Sequence, residues 1–331
     1  MKLSDIGERE AIRLISQAIS TGNVAVGIGD DCAAIDIDDQ NYLLVSTDMV
    51  SKKAHLPREI TPFQMGWFIV AVNLSDIAAK GGEPIGIVLS LGLPKNTSIM
   101  FLQRLIEGAN RCATKFDTAI IGGDTKENPH ITLCGTILGR VKKDEFMPRK
   151  GAQPGDIVAV TGTLGKAAAG YYALKHKIQN KEIVKGLLQP IPRIKEGRAL
   201  AEKKTVSSCM DISDGISASL YQLGELNNVG FEICREKIPI SPELIYIQQQ
   251  TKIDVYNAAL HFGGDYELLI TMPADHFEKT AKAVENTGNK LTPIGRVTKT
   301  KSIKLVSKHI KNILPNQGYE HFRQTQKYDS S

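Results

Sequence analysis

The sequence predicts an α/β protein (α/β or α+β) of two domains. Helix-type and strand-type segments alternate along most of its 331 residues, and the chain is about twice as long as a common single domain. The alternation is interrupted near residues 144–156, where Pro148, Gly151, Pro154 and Gly155 give a linker-like composition. We therefore expect an N-terminal domain over residues 1–145 and a C-terminal domain over residues 146–331.

The composition excludes several classes of protein. A hydrophobic fraction of 42% is that of an ordinary globular chain, and the net charge of +5 with 6% aromatic residues argues against a nucleic-acid partner. Five scattered cysteines without a Cys-x-x-Cys pair argue against a disulfide framework or a zinc site, and they favour a cytoplasmic protein. No apolar run reaches the ~20 residues that span a bilayer, and residues 1–10 are too charged for a signal peptide.

In the N-terminal half, periodicity and turn residues indicate each element in order. Ile12, Ile15 and Ile19 fall on one face of a helix, and Thr61-Pro62 has the N-cap and first-turn residues of a second helix that stops at Gly81-Gly82. The expected helices are 7–20, 61–80 and 97–115, and the expected strands are 24–28, 33–37, 42–46, 85–93, 118–121 and 131–141.

The C-terminal half repeats the alternation. Short apolar runs bounded by Gly, Pro, Asp or Asn predict strands 157–161, 206–210, 231–234, 266–272, 291–297 and 302–306. Longer periodic segments predict helices 164–174, 181–188, 194–203, 216–226 and 274–286.

Several aspartates lie at positions where folding alone does not require a carboxylate. Asp76 lies inside the apolar run 66–79, and further acids follow apolar runs beside Gly, Ser or Thr. They occur in Gly29-Asp30-Asp31, Ser46-Thr47-Asp48, Gly122-Gly123-Asp124-Thr125 and Asp211-Ile212-Ser213-Asp214-Gly215. Each acid taken singly could be a helix N-cap or a turn residue. Their recurrence in both halves favours a common site.

Converging carboxylates need a cation. Two charges ~4 Å apart repel by about 4 kcal/mol at an effective dielectric constant near 20. Mg²⁺ prefers hard oxygen ligands and is usually completed by water and substrate phosphates, while Gly-rich turns let backbone N–H groups approach phosphate oxygens. The sequence therefore predicts a magnesium and phosphate site.

Two other kinds of site are not indicated. The segment Gly162-Thr163-Leu164-Gly165-Lys166 has two residues between its glycines and Ala167 after its lysine, so it is a strand-to-helix turn and not a phosphate-binding P-loop. His55 has no metal-ligand partner at the usual spacing, and no Ser-His-Asp or Cys-His grouping indicates covalent catalysis.

The ordered set of motifs resembles the thiamine-monophosphate kinase family, whose members have the two-domain fold of the aminoimidazole ribonucleotide synthetase superfamily. Besides the acidic motifs and His55, the resemblance is carried by Val72-Asn73-Leu74-Ser75-Asp76-Ile77-Ala78-Ala79, Val160-Thr161-Gly162-Thr163-Leu164-Gly165, Asp265-Tyr266-Glu267-Leu268 and Gly318-Tyr319-Glu320-His321-Phe322. It implies direct transfer of the γ-phosphoryl group of ATP to thiamine monophosphate with several Mg²⁺ ions, and a homodimer joined through the N-terminal sheets.

The resemblance also implies roles for individual residues. Metal ligands are expected at Asp31, Ser46, Thr47, Asp48, Asp76, Asp124, Asp211 and Asp214. ATP contacts are expected at Gly123, Asp124, Arg149 and Ser213, and substrate contacts at His55, Tyr319 and position 264. Asp76, Asp124 and Arg149 are the expected catalytic residues. Asp30 matches a residue beside the metals.

One position departs from the family. Gly264 stands where the family has a Glu that touches the thiamine part of the substrate, so the departure concerns substrate identity or affinity. The alternatives are another phosphorylating enzyme of the same superfamily with a different acceptor, and a non-catalytic nucleotide-binding homologue. A selenophosphate synthetase is disfavoured because a reactive Cys in a glycine-rich N-terminal segment is missing from the sequence.

Overall fold

The strands of the molecule form two sheets, one from each half of the chain. A computed structural model describes residues 1–20, 22, 24–52, 56–308 and 310–322. The first sheet contains β1 (Ala33–Asp36), β2 (Asn41–Ser51), β3 (Glu83–Leu93), β4 (Ile120–Glu127) and β5 (Thr132–Lys142). Its order is β1-β2-β5-β3-β4, with β3 and β4 parallel and the other neighbours antiparallel. The strand β4 is therefore an edge.

The second sheet has seven strands in the order β12-β11-β8-β10-β6-β9-β7. They are β6 (Ile157–Thr161), β7 (Ser208–Asp211), β8 (Gly230–Cys234), β9 (Leu268–Met272), β10 (Leu291–Thr298), β11 (Ile303–Ser307) and β12 (Ile310–Ile313). Only the pair β11 and β8 is parallel among these neighbours. The expected α/β class is thus confirmed in the described residues, where each half of the chain supplies the strands of one sheet.

Ten α-helices cover the sheets within the described residues. They are α1 (Leu3–Ala18), α2 (Pro62–Ala79), α3 (Ile99–Lys115), α4 (Lys166–Lys175), α5 (Lys181–Leu188), α6 (Ile194–Ala201), α7 (Ile216–Asn227), α8 (Pro242–Thr251), α9 (Val255–His261) and α10 (Phe277–Glu285). Single 3₁₀ turns occur at Lys143–Glu145, Arg235–Lys237 and Ala274–His276. None of the described helices has the length and apolarity that crossing a membrane requires.

The helix α2 lies at the centre of the molecule. Its start is the expected one, because the Thr61 side chain accepts a hydrogen bond from the Gln64 N–H and Pro62 occupies the first turn. Of its 18 residues 13 are buried, since it packs against α3, against β2 and β5 of the first sheet, and against β7 and α6 of the C-terminal half. A Cβ on Gly66 would lie 1.8 Å from the Leu105 carbonyl oxygen, so the close crossing with α3 requires glycine.

Two strands are longer than expected, and this moves two acidic motifs. The predicted strand 42–46 continues as β2 through Asp48 to Ser51, and the predicted strand 118–121 continues as β4 through Asp124 to Glu127. Pairing with β5 and β3 extends these strands over Asp48, Gly122, Gly123 and Asp124, which are residue types with low intrinsic strand preference. Asp48 and Asp124 therefore lie within strands and not in the turns that follow them.

Other expectations for the fold were wrong or incomplete. The predicted strand 24–28 is absent from the described residues, where Val26 and Ile28 form only isolated bridges. The elements α8, α9 and β12 were not anticipated. The division of the chain at residues 145 and 146 stays a prediction, although the two sheets draw their strands from either side of it.

Candidate active site

Asp76 meets acids from two other elements at the end of α2. Its Oδ2 atom accepts a hydrogen bond of 2.5 Å from the Ser46 hydroxyl of β2. Asp48 lies two residues further along β2, on the same face of the strand, and is close enough for its charge to act on Asp76. Thr47 points to the other face, where its hydroxyl donates to the Gly135 carbonyl at 2.9 Å. Only a main-chain oxygen of Thr47 could serve the acid cluster.

The strand β7 brings a further acid from the C-terminal half. Asp211 is the last residue of β7 and is buried, and its Oδ2 accepts a hydrogen bond of 2.6 Å from the Ser75 hydroxyl. One carboxylate oxygen each of Asp31, Asp76 and Asp211 lie within 4.8 Å of one another. Three acids that are far apart in the sequence thus converge, as the sequence predicted.

Asp31 is held by two cations. Its Oδ1 accepts hydrogen bonds from Arg149 through Nε at 2.9 Å and through Nη2. Its Oδ2 lies 2.8 Å from Nζ of Lys80. That approach has ion-pair distance without the angles of a hydrogen bond, and Oδ2 accepts no hydrogen bond from any described residue. This buried oxygen is therefore ion-paired to Lys80 and has a lone pair left for a metal ion.

The electrostatics separate Asp31 from the other acids. Burial would raise the pKa of Asp31, but the charges of Arg149 and Lys80 outweigh it and lower the pKa. For Asp76, burial and then the neighbouring charges of Asp48 and Asp211 raise the pKa well above its usual range. Burial, followed by the charge of Asp31, raises the pKa of Asp48 to about 6 and that of Asp211 to about 7. The cluster thus carries more buried negative charge than its cations balance.

These residues fit a divalent metal ion. The donors are carboxylate oxygens, which Mg²⁺ prefers, and among the described residues the buried Oδ2 atom of Asp31 has an ion-pair contact with Lys80 and no further partner. A bound cation would also favour the ionised form of acids whose pKa burial raises. Asp31, Asp48, Asp76 and Asp211 are the residues that the geometry offers for such an ion.

The loop after β7 joins this cluster to the expected substrate residues. The Ser213 carbonyl accepts a hydrogen bond of 2.7 Å from the Gly264 N–H, and the Asp214 carbonyl accepts one of 3.1 Å from the Tyr319 N–H. Burial, then the charge of Glu8 from α1, raises the pKa of Asp214 to about 6. The structure thus brings Ser213, Asp214, Gly264 and Tyr319 together, while His55 lies outside the described residues.

Gly123 and Asp124 lie away from the acid cluster within one copy of the chain. The ladders align Asp48 with Gly135, Gly135 with Leu89, and Leu89 with Gly123. Three strand spacings of about 4.8 Å therefore separate β2 from β4, or roughly 14 Å. The Asp124 side chain is 59% exposed and lies 3.3 Å from Nζ of Lys126. Its expected metal and ATP roles stay predictions.

The segment 162–166 is a strand-to-helix turn, as expected. Gly165 has a φ of +91° and precedes α4. The first N–H groups of this helix are already used, because the Asp265 carboxylate accepts hydrogen bonds from Gly165 at 2.6 Å and from Ala167 at 3.1 Å. The nearby Glu267 is buried and pairs with Arg193 through two hydrogen bonds.

Three residues at the site were not singled out from the sequence. They are Lys80, which pairs with Asp30 and Asp31, Ser75, which donates to Asp211, and Glu8, whose Oε2 accepts from the His321 N–H. A lysine at the C-terminal end of a helix is common because the helix dipole favours a cation there. Its sequence position therefore carries no signal that it is buried.

Comparisons with known proteins show the family of the chain. The model for AIR synthase related protein, N-terminal domain, matches residues 29–141, and that for AIR synthase related protein, C-terminal domain, matches residues 153–308. The thiamine-monophosphate kinase of Buchnera aphidicola subsp. Schizaphis graminum is 36% identical over 91% of this chain and 93% of its own length. That of Methanospirillum hungatei JF-1 is 36% identical over 88% and 92% respectively.

Solved structures give the same result. A structure described as AaThiL complexed with AMPPCP and TMP has a TM-score of 0.85 at 29% identity, and the match covers 97% of this chain and 99% of that one. Thiamine-monophosphate kinase from Stenotrophomonas maltophilia K279a has a TM-score of 0.75 at 31% identity, with coverages of 89% and 94%. Escherichia coli HypE, a hydrogenase maturation protein, has a TM-score of 0.71 at 20% identity, with coverages of 93% and 96%, which concerns the fold alone.

Proposed function

This chain belongs to the thiamine-monophosphate kinase family, and we propose that its acid cluster and the loop after β7 carry out the family reaction. The enzyme phosphorylates thiamine monophosphate with ATP and forms thiamine diphosphate and ADP. The observation that carries the proposal is the convergence of Asp31, Asp76 and Asp211 within 4.8 Å beside that loop. Neither packing nor capping accounts for three acids gathered in a buried place.

Charge neutralisation is the main catalytic task. Phosphoryl transfer to a phosphate acceptor joins two anions, so positioning and electrostatic stabilisation dominate the chemistry. Bound Mg²⁺ would supply positive charge to both phosphates. The residues that would hold it are Asp31, Asp48, Asp76 and Asp211, with Ser46 and Ser75 orienting two of these carboxylates. The acceptor phosphate is largely ionised at pH 7, so no general base is required for direct in-line transfer.

Arg149 connects the acid cluster to the expected ATP site. Its guanidinium is bound to Asp31, and Nη1 makes only a long contact of 3.4 Å to the Gln222 side chain. The guanidinium N–H groups that do not donate to Asp31 are the ones that we propose to bind a phosphate of ATP. Ser213 and Asp214 extend the same site on the loop after β7.

We propose that the substrate is recognised where Gly264 and Tyr319 contact the loop after β7. Gly264 and Tyr319 hydrogen-bond to consecutive carbonyl groups of the loop, and Tyr319 packs edge to face on His321 with ring centroids 4.8 Å apart. This gives one aromatic wall next to the acids. The proposed contact of His55 rests on the resemblance of its motif alone.

We further propose that the enzyme is a homodimer whose N-terminal sheets meet. The edge strand β4 is exposed from Ile121 to Glu127, and the nearby Ile85 of β3 is 50% exposed. An unpaired edge strand is a typical place for a second chain to pair, and the exposed Ile121 and Ile85 would supply apolar contacts there. Asp124, which lies roughly 14 Å from β2 of its own copy by strand spacing, would then act at the site of the other copy.

A cytoplasmic location is proposed on the state of the cysteines. All five are free in the structure, and Cys32, Cys112 and Cys209 are buried. Burial raises the pKa of Cys112 and Cys209 above the usual range of thiols. Such thiols are inert packing residues, as is common in a reducing compartment.

The direct test is an incubation of the purified protein with Mg-ATP and thiamine monophosphate, followed by chromatography for thiamine diphosphate. Free thiamine and an unrelated phosphate monoester serve as acceptor controls. Thiamine diphosphate formed only from thiamine monophosphate supports the proposal. ADP release with another acceptor, and none with thiamine monophosphate, would reassign the enzyme within its superfamily.

A further inference from the structure

Lys80 is fully buried and carries a charge at the acid cluster. Its side chain has no exposed surface, and it is one of the largest fully buried side chains of the described residues. It follows the last residue of α2, where the helix dipole favours a cation. A lysine is almost never buried unless it is paired, so its partners explain its presence.

The partners of Lys80 are the acids next to the proposed metal site. Its Nζ donates to Oδ1 of Asp30 at 2.5 Å and to the Cys209 carbonyl at 2.9 Å, and it lies 2.8 Å from Oδ2 of Asp31. The Phe146 ring covers the ammonium group from another side, with 5.9 Å between Nζ and the ring centroid. One ammonium group thus ties α2 to β7 and to the loop of Asp30 and Asp31.

The charge balance of the cluster gives this ion pair a function. Five carboxylates, those of Asp30, Asp31, Asp48, Asp76 and Asp211, are balanced by two cations, Lys80 and Arg149. The Arg149 side chain is 19% exposed, whereas the Lys80 side chain is 0% exposed. Lys80 therefore cannot exchange with Mg²⁺ or phosphate during a reaction cycle.

We propose that Lys80 is a permanent internal counter-ion of the metal site and a positioning residue for Asp31. It neutralises one acid before any metal binds, so that the protein folds without metal. It also moderates the affinity for Mg²⁺, because its positive charge opposes each incoming divalent ion. The inference rests on the proposed metal site and adds a residue that touches neither metal nor substrate.

The test is Lys80→Met, which keeps an unbranched side chain of similar length and removes the charge. In chelator its melting temperature should fall by roughly 5–10 °C, because the variant leaves buried acids unpaired. Added Mg²⁺ should recover more of the melting temperature in the variant than it adds to the wild type. Calorimetric titration with MgCl₂ alone should give an affinity at least about tenfold higher than that of the wild type.

Two controls separate this role from simple packing. Lys142→Met removes a lysine that pairs with Glu145, with 2.9 Å between Nζ and Oε1. This ion pair lies outside the site, so the variant should leave the Mg²⁺ affinity unchanged. Asp30→Asn should lower the Mg²⁺ affinity, because it removes a negative charge that offsets the positive charge of Lys80. The double variant Lys80→Met with Asp30→Asn removes one charge of each sign and should return the affinity to within a few-fold of wild type.

The outcomes distinguish the two proposals. If Mg²⁺ does not stabilise the wild type or bind to it, the proposed metal site is wrong. If Mg²⁺ binds to the wild type and the Lys80→Met variant binds it equally or more weakly, Lys80 is a structural lysine and the inference is overturned. If Lys80→Met alone does not fold, the double variant provides the test. A Mg²⁺ affinity of the double variant as low as that of Asp30→Asn would also overturn the proposed role of Lys80.

Discussion

Asp31 and Asp76 lie in the same cluster, yet their environments shift their pKa values in opposite directions. Lys80 and Arg149 hold the Asp31 carboxylate ionised, whereas the charges that act most on Asp76 are those of the acids Asp48, Asp211 and Asp31. A divalent ion is therefore needed most at Asp76, because no ion pair within the described residues neutralises it. This contrast makes Asp76 the centre of the proposed mechanism.

Gly264 is the residue at which substrate affinity can be tested without touching the acids. Its φ is +95°, and a Cβ there would lie 3.2 Å from the Cβ of Ala167. Glu267 cannot replace the missing family carboxylate, because it is buried and bound to Arg193. The proposed substrate contact at position 264 therefore lacks the acid that the resemblance implies.

We expect Gly264→Glu to lower the KM for thiamine monophosphate relative to Gly264→Gln, with little change in the KM for ATP. The two side chains match in shape, and only the first has a charge that attracts the thiazolium cation. Both variants should lose about 1–2 kcal/mol of stability, since an L-residue is strained at positive φ. Steady-state kinetics of the pair is the measurement. Equal KM values for thiamine monophosphate would place position 264 away from the substrate.

At the scale of elements, the acid cluster is the meeting point of α2, β2 and β7. The sequence predicted these elements, because Thr61-Pro62 begins a helix and short apolar runs precede Asp48 and Asp211. Asp76 was recognisable since a carboxylate is unusual within an apolar helix. The ion pair of Lys80 with Asp30 was not, because 50 residues separate them and only the packed tertiary structure brings them together.

The raised pKa values predict how stability depends on pH in chelator. The folded protein keeps protons on Asp48 up to about pH 6 and on Asp211 up to about pH 7, whereas the unfolded chain releases them near pH 4. The folded state binds more protons in this window, so its free energy of unfolding falls as the pH rises through it. Melting curves in EDTA should therefore give a higher melting temperature at pH 5 than at pH 8.

Two controls accompany this experiment. Asp211→Asn should flatten the pH dependence, because one of the groups that binds the extra proton is gone. Excess Mg²⁺ should stabilise the wild type more at pH 8 than at pH 5, since the ion competes with protons for the same oxygens. A wild-type melting temperature that rises from pH 5 to pH 8 in EDTA would contradict the shifts.

At the scale of the whole molecule, the proposed homodimer rests on the exposed β4 edge and on the distance of Asp124 from the acid cluster. A single sequence contains the motif of Asp124 but no information on which copy of the site it serves. The length of β4 was underestimated for a related reason, because its pairing with β3 is a long-range contact and not a local preference. The two-sheet architecture itself followed from the alternation of elements.

Mixed dimers test whether the site is shared. We expect Asp76→Asn and Asp124→Asn to be nearly inactive when each is purified alone. Co-expression of the two chains should restore about a quarter of wild-type activity, since half of the dimers are mixed and each has one intact site. Activity is measured on the mixture after light scattering has verified a dimer. A monomer, or a mixture as inactive as its parents, would contradict a shared site.

The measurement that tests the central claim most directly is the turnover of Asp76→Asn with Mg-ATP and thiamine monophosphate, set beside its melting curve. Asn keeps the shape of the side chain and removes the charge that the proposed metal needs, so turnover should fall by at least about 10²–10³-fold. The melting temperature in chelator should be retained or raised, because a buried carboxylate with a raised pKa becomes neutral. Near-normal turnover together with a lower melting temperature would make Asp76 a structural residue and would contradict the account.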